Sequence, residues 1–155
     1  MNKVYIHYGA DHYDQNKFKP ITGSHPVNNK PEGGFWASPV DTKWSWKNWC
    51  ESEEFHTERL NKSFKFTLVN GSKVFHIRNH NDIFKLPMLK EMELYNGKLN
   101  LLLGWYYDWK KIASKYDAVE LHLSNDYMLF HDAFYCWDVD SIVILKPNIV
   151  REVEE

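Results

Sequence analysis

The chain has 155 residues, 43% hydrophobic and 26% charged, with a formal net charge of −2. That length fits one domain, residues 1–155, with one buried core, and the near-neutral charge excludes nucleic-acid binding built on charge alone. No apolar run is long enough to span a bilayer. No leader is visible after Met1, and with only Cys50 and Cys136 as cysteines the expectation is reduced thiols in a cytoplasmic protein. Two cysteines and scattered histidines do not match a zinc-ligand spacing, so no metal site is expected. The chain holds 7 Trp and 9 Tyr, more aromatic surface than a core of this size hides, which predicts an aromatic-lined surface or pocket.

In chain order, Lys3 to Tyr8 reads as a strand closed by Gly9-Ala10-Asp11. Asp11 to Lys30, with Pro20, Gly23 and Pro26, reads as a long loop. Phe35 to Ala37 is a short strand stopped by Pro39, and Thr42 to Glu54 holds a helix whose Trp46, Trp49 and Cys50 share one face. Ser63 to Leu68 alternates Phe64, Phe66 and Leu68 with polar residues, Asn70-Gly71 makes a hairpin turn, and Lys73 to Arg78 is the partner strand. Arg78 to Asp82 has a superficial likeness to a metal-nuclease motif but lacks its flanking ligands and reads as a turn. Asn100 to Lys115 has helical spacing; Ala118 to Leu123, Phe134 to Trp137 and Ile142 to Leu145 read as strands, the last buried on both faces. The acidic tail beyond Pro147 is expected to fray. The uneven mix of strands and helices predicts an α+β fold.

Two stretches carry the functional reading. Gly33-Gly34-Phe35-Trp36-Ala37-Ser38-Pro39 joins two glycines, which admit close approach of a flat ligand, to an aromatic pair that offers it a face. Tyr5-Ile6-His7-Tyr8-Gly9 places an imidazole and a glycine at the end of a strand, and the two stretches are expected to face each other across one pocket.

In these motifs the chain resembles the ADP-ribosyltransferases, the domain shared by bacterial toxins and poly-ADP-ribose polymerases. His7-Tyr8-Gly9 is similar to the family's strand-His-Gly motif, and Gly34-Phe35-Trp36-Ala37-Ser38 to its Gly-aromatic-small-Ser segment leading into a helix. Asp132, ahead of Phe134 to Trp137 and the Asp138 to Ser141 turn, stands roughly where the family has an acid, usually Glu, at the start of the penultimate strand. The resemblance implies a split antiparallel β-sheet core with a few helices, NAD as substrate, and transfer of ADP-ribose to an acceptor. It assigns His7 to a ribose hydroxyl and the Gly9 backbone to the nicotinamide amide. Phe35 or Trp36 would stack on the pyridinium, and Ser38 would hold a ribose or the acid. Tyr8 and Gly34 complete the cofactor-binding set. Asp132 would stabilise the oxocarbenium-like charge, with Glu120 the second candidate. Glu120 and His122 fall on one face of their strand, opposite Val119, Leu121 and Leu123, so Glu120 is expected to face solvent.

Each residue also has a plainer reading: His7 as a satisfied strand histidine, Trp36 as core, Asp132 as a solvated turn acid. Two alternatives stay open beside a transferase: a non-catalytic nucleotide- or peptide-binding module on the same scaffold, and an NAD glycohydrolase. A carboxylate reaching the cleft beside His7 and Trp36 separates catalysis from binding. The acceptor and the biological role are not legible in the sequence.

Overall fold

A computed structural model describes residues 2–25, 28–89, 106–134 and 136–154. Within them lie nine strands and four α-helices: β1 (Val4–Tyr8), β2 (Gly23–Ser24), β3 (Pro31–Glu32), β4 (Phe35–Pro39), α1 (Trp46–Ser52), β5 (Ser63–Leu68), β6 (Val74–Ile77), α2 (His80–Ile83), α3 (Trp109–Lys115), β7 (Ala118–Leu121), α4 (Tyr127–Ala133), β8 (Ser141–Ile144) and β9 (Val150–Glu152). Seven strands form one sheet in the order β6-β7-β8-β4-β1-β5-β9, while β2 and β3 pair separately. The fold is α+β. Its large sheet is mixed, because β6 and β7 run parallel and all other pairs in it are antiparallel. A parallel pair needs a crossover rather than a hairpin, and the chain between Ile77 and Ala118 supplies it.

Both sheet faces are covered. On one, Val119, Leu121 and Val143 pack with Trp109, Ile112, Phe130, Phe134 and Trp137. On the other, Tyr5, Phe64, Phe66, Ile142, Ile144 and Ile149 close a second core. This overturns the expectation for Glu120. Alternation does place it opposite Val119 and Leu121, but that second face is also buried, and Glu120 is only 1% exposed.

Local chemistry sets the helix starts. Ser45 caps α1 by accepting from the Asn48 amide at 3.2 Å, and Cys50 is the residue α1 buries completely. Asp108 accepts from the Lys111 amide at 3.1 Å, so α3 begins at Trp109; residues 100–105 of the expected longer helix lie outside the described residues. The polar residues of Arg78 to Asp82 are used in a capping box, with Asn79 and Asp82 closing the first turn of α2.

Several expectations differ. Asn70-Gly71 does not close a hairpin. β5 pairs with β1 and β9 and β6 pairs with β7, so the two strands lie far apart in a sheet that is mixed rather than antiparallel as expected. Phe134 to Trp137 is not a strand. Asp126 caps α4, accepting from the Leu129 amide at 3.2 Å, and Phe130 and Phe134, four residues apart and both buried, follow a helical period. After α4 the chain turns, with Cys136 and Asp138 in the left-handed region (φ 70° and 61°). The tail does not fray at Val150–Glu152, which pairs with β5 and covers that edge of the sheet. Gly33 and Gly34 serve the chain's own packing. A Cβ on Gly33 would lie 2.2 Å from the Pro20 carbonyl oxygen, and one on Gly34 would lie 3.0 Å from that of Ile144.

Gly33→Ala therefore combines a left-handed backbone (φ +96°) with a main-chain clash. It should destabilise the fold by about 2–4 kcal/mol. Denaturant unfolding checks this, and a loss below about 0.5 kcal/mol would show that the Pro20 segment gives way freely.

Candidate functional site

β1 and β4 are hydrogen-bonded neighbours, with Ile6 paired to Ser38. Alternation then turns Ile6 and Tyr8 to the same side as Trp36 and Ser38, where they line a cleft of about 310 Å³. The other walls come from Lys30, Trp46, Arg59, Trp137, Val139 and Ser141. The two stretches singled out in the sequence thus border one pocket.

The cleft's aromatic wall is built edge to face. Trp36 and Trp137 meet at 4.8 Å with their planes 84° apart, and the Trp137 indole N–H donates to the Asn29 carbonyl at 3.1 Å. An edge-to-face pair of this kind contributes ~0.5–1.5 kcal/mol beyond the area it buries. Lys30 places its ammonium 5.3 Å from the Trp36 ring centre, so that indole face already holds a cation. Burial lowers the Lys30 pKa, against the charges of Cys136 and Asp138, which raise it. Arg59 brings a guanidinium from a 3-10 turn at Thr57–Asn61.

The remaining expected residues are placed as follows. His7 borders the cleft, but its ring packs on the other sheet face against Phe35 and Phe64, at 4.4 and 5.4 Å. Its Nδ1 lies 2.7 Å from the Trp36 carbonyl oxygen. Phe35 belongs to that same opposite cluster, with Tyr13, Phe64 and Phe66, so Trp36 alone of the aromatic pair lines the cleft. Ser38 is buried, and its hydroxyl accepts from the Trp46 amide at 3.2 Å, tying α1 to β4. The Gly9 amide donates to the Lys62 carbonyl at 2.8 Å, and the Gly34 amide to that of Lys19 at 2.8 Å. Asp132 lies in α4 rather than at the start of a strand, and its side chain is outside the described residues.

Among the described residues no carboxylate lines the cleft. Asp138 acts on Lys30 through its charge. Asp140 is buried and fully engaged, accepting from Thr42 Oγ1 at 2.7 Å and from the Ser124 amide and hydroxyl at 2.8 and 2.7 Å. At the cleft-lining start of β8 stands Ser141.

Glu120 lies in a second polar cluster, on the other sheet face. Tyr5 donates to its Oε2 at 2.9 Å, Lys3 pairs with its Oε1, and His76 Nδ1 lies 3.3 Å from Oε2. Sequence reading missed Lys30, Arg59, Trp46 and Trp137 in the cleft because four separate segments supply them. It also missed His76 beside Glu120, whose signal was available: β6 and β7 pair with His76 opposite Glu120.

Burial lowers the His7 pKa, more than the Trp36 carbonyl bond raises it. A depressed folded-state value means the unfolded chain binds the proton first. The His7 contribution is therefore complete above the ordinary value of about 6.5 and is lost as pH falls through the lower folded-state value. Urea unfolding between pH 5 and 8 should show stability falling on acidification, with a shallower slope in His7→Gln. An unchanged slope in that variant would place the titration elsewhere.

No protein-family model matches the chain, and no curated protein or solved structure matches it.

Proposed function

We propose that this chain is an NAD-binding domain of the ADP-ribosyltransferase type, with the nicotinamide–ribose end of NAD in the cleft between Tyr8, Trp36 and Trp137. The observation that carries the reading is an indole face that already accommodates a cation, the Lys30 ammonium, with one further basic side chain, Arg59, in the same cleft. A pyridinium ring is a planar cation suited to that indole face. The pyrophosphate of the same molecule calls for cations such as Arg59. The cleft's volume of about 310 Å³ falls within the range of small-ligand pockets.

In the transferase reading the ribose–nicotinamide bond breaks, nicotinamide leaves with the bonding electron pair, and an acceptor nucleophile closes on the cationic ribose carbon as it gives up its proton. A carboxylate beside the developing charge lowers that barrier. We assign this role, in place of Asp132, to Asp138. It does not line the cleft but lines the adjoining pocket, which shares Val139 with the cleft. Its charge acts on Lys30, and transfer requires its carboxylate to swing in. A second reading, NAD binding without transfer, is favoured by one observation: Ser141, rather than an acid, lines the cleft at the start of β8.

Calorimetry with NAD, run beside an assay of nicotinamide release, separates the two. Wild type should bind NAD, and Trp36→Ala should weaken binding about tenfold or more, the loss of one stacking face. Arg59→Ala should weaken it with a reduced dependence on salt. Transfer predicts nicotinamide release that Asp138→Asn slows by about 10²–10³-fold. Release with no modified macromolecule would mark a glycohydrolase, and binding with no release would mark the binding module. A folded wild type that does not bind NAD would overturn both.

A further inference from the structure

The polar cluster around Glu120 lies outside the cleft and plays no part in the reading above. β6 and β7 are parallel neighbours with His76 opposite Glu120, and His122 follows on the same face as Glu120. This brings three ligand-type atoms together: His76 Nδ1 is 3.0 Å from His122 Nε2 and 3.3 Å from Glu120 Oε2, and His122 Nε2 is 3.9 Å from Oε1. One donor atom from each residue falls within a sphere of 4.8 Å mutual separation. We propose that His76, Glu120 and His122 form a binding site for a divalent first-row transition metal, with Zn²⁺ as the ion it takes most readily.

Two of the three separations, 3.0 and 3.3 Å, are those of ligands around one ion, and the third, 3.9 Å, would have to close on binding. Two nitrogens each about 2.1 Å from a metal, at angles between about 90° and 109°, lie about 3.0–3.4 Å apart. Two imidazoles and one carboxylate suit zinc and its neighbours better than calcium or magnesium, which take oxygen ligands. His122 also borders a surface depression lined by Lys3, Asp41, Ser124 and Asp140, so three protein ligands would leave a coordination position facing solvent. Tyr5, donating to Glu120 Oε2, would orient the carboxylate from behind.

Lys3 is the competitor. Its ammonium neutralises Glu120 in the structure, and a dication arriving at the carboxylate must displace it. The Lys3 side chain is 36% exposed, so it can swing into water where Glu120, at 1%, cannot. The metal-free alternative is a hydrogen-bond network in which one imidazole donates to the other and Lys3 balances Glu120.

The test is calorimetry with ZnCl₂ on the full chain, joined to the absorption spectrum of the Co²⁺-loaded protein. The wild type should bind one equivalent of Zn²⁺ and show Co²⁺ ligand-field bands displaced from those of the aqueous ion. His76→Ala and His122→Ala, both partly exposed positions, should each weaken binding tenfold or more. Lys3→Ala should tighten it, whereas His12→Ala, a surface histidine paired with Glu152, should leave it unchanged. Absence of binding in the wild type, Co²⁺ bands like those of the aqueous ion, or equal affinity in His122→Ala would overturn the site in favour of the metal-free network. The Co²⁺ spectrum needs only the wild type, so a variant that fails to fold does not remove the test. None of these results depends on NAD.

Discussion

The fold depends on a strand that has no solvent side. Every residue of β8 from Ser141 to Ile144 is buried, held between β4 and β7. A sheet covered on both faces is expected to carry near-continuous apolar strands, and Ser-Ile-Val-Ile comes close to that. The polar exceptions in such a setting need partners, since an unpaired buried charge costs several kcal/mol. Glu120 on β7 has them in Tyr5, Lys3 and His76, and Asp140 just ahead of β8 has them in Thr42 and Ser124. The two acids do different work: Asp140 fixes two loops to the strand end, whereas Glu120 gathers basic side chains around itself.

The same constraint divides the aromatic residues. Residues of β4 alternate, so Phe35 joins the cluster around Phe64 and Phe66 while Trp36 turns toward Trp137 and the cleft. One neighbouring pair in sequence thus supplies a core ring on one face and a ligand-facing ring on the other. β1 does the same: Tyr5 and His7 pack inward against aromatic neighbours, and Ile6 and Tyr8 border the cleft. A cleft lined by a Trp pair, a lysine and an arginine arises where a covered sheet face leaves its covering layer incomplete.

Much of this was legible in the sequence where local signals were strong. The strands around Tyr5, Trp36, Phe64 and Val143 follow from alternation and composition. The α1 helix follows from the spacing of Trp46, Trp49 and Cys50, and the structure adds the Ser45 cap. The His7 and Trp36 stretches do come together, but side by side as paired strands in one wall of the cleft rather than across it as expected. What was not legible depends on tertiary context. Phe134 to Trp137 carries strand-forming residues, yet the Asp126 cap and the Phe130–Phe134 spacing set a helix that ends in a left-handed turn. That shift moved Asp132 into α4. Glu120 read as solvent-facing because one core face was counted; the other face, where Tyr5, Phe66, Ile142 and Ile144 cluster, is buried as well. The glycine pair read as room for a ligand, but its space is taken by Lys19 and Pro20 at Gly33 and by Ile144, Val143 and Ile21 at Gly34.

The account's central claim is that Trp36 and Trp137 bound a nucleotide site. The most direct measurement is a crystal structure of the protein grown with NAD. The account predicts density for a nicotinamide ring against Trp36, with the pyrophosphate running toward Arg59 and Lys30 withdrawn from the indole face. An NAD molecule seated elsewhere on the surface, with Lys30 still over Trp36, would contradict it.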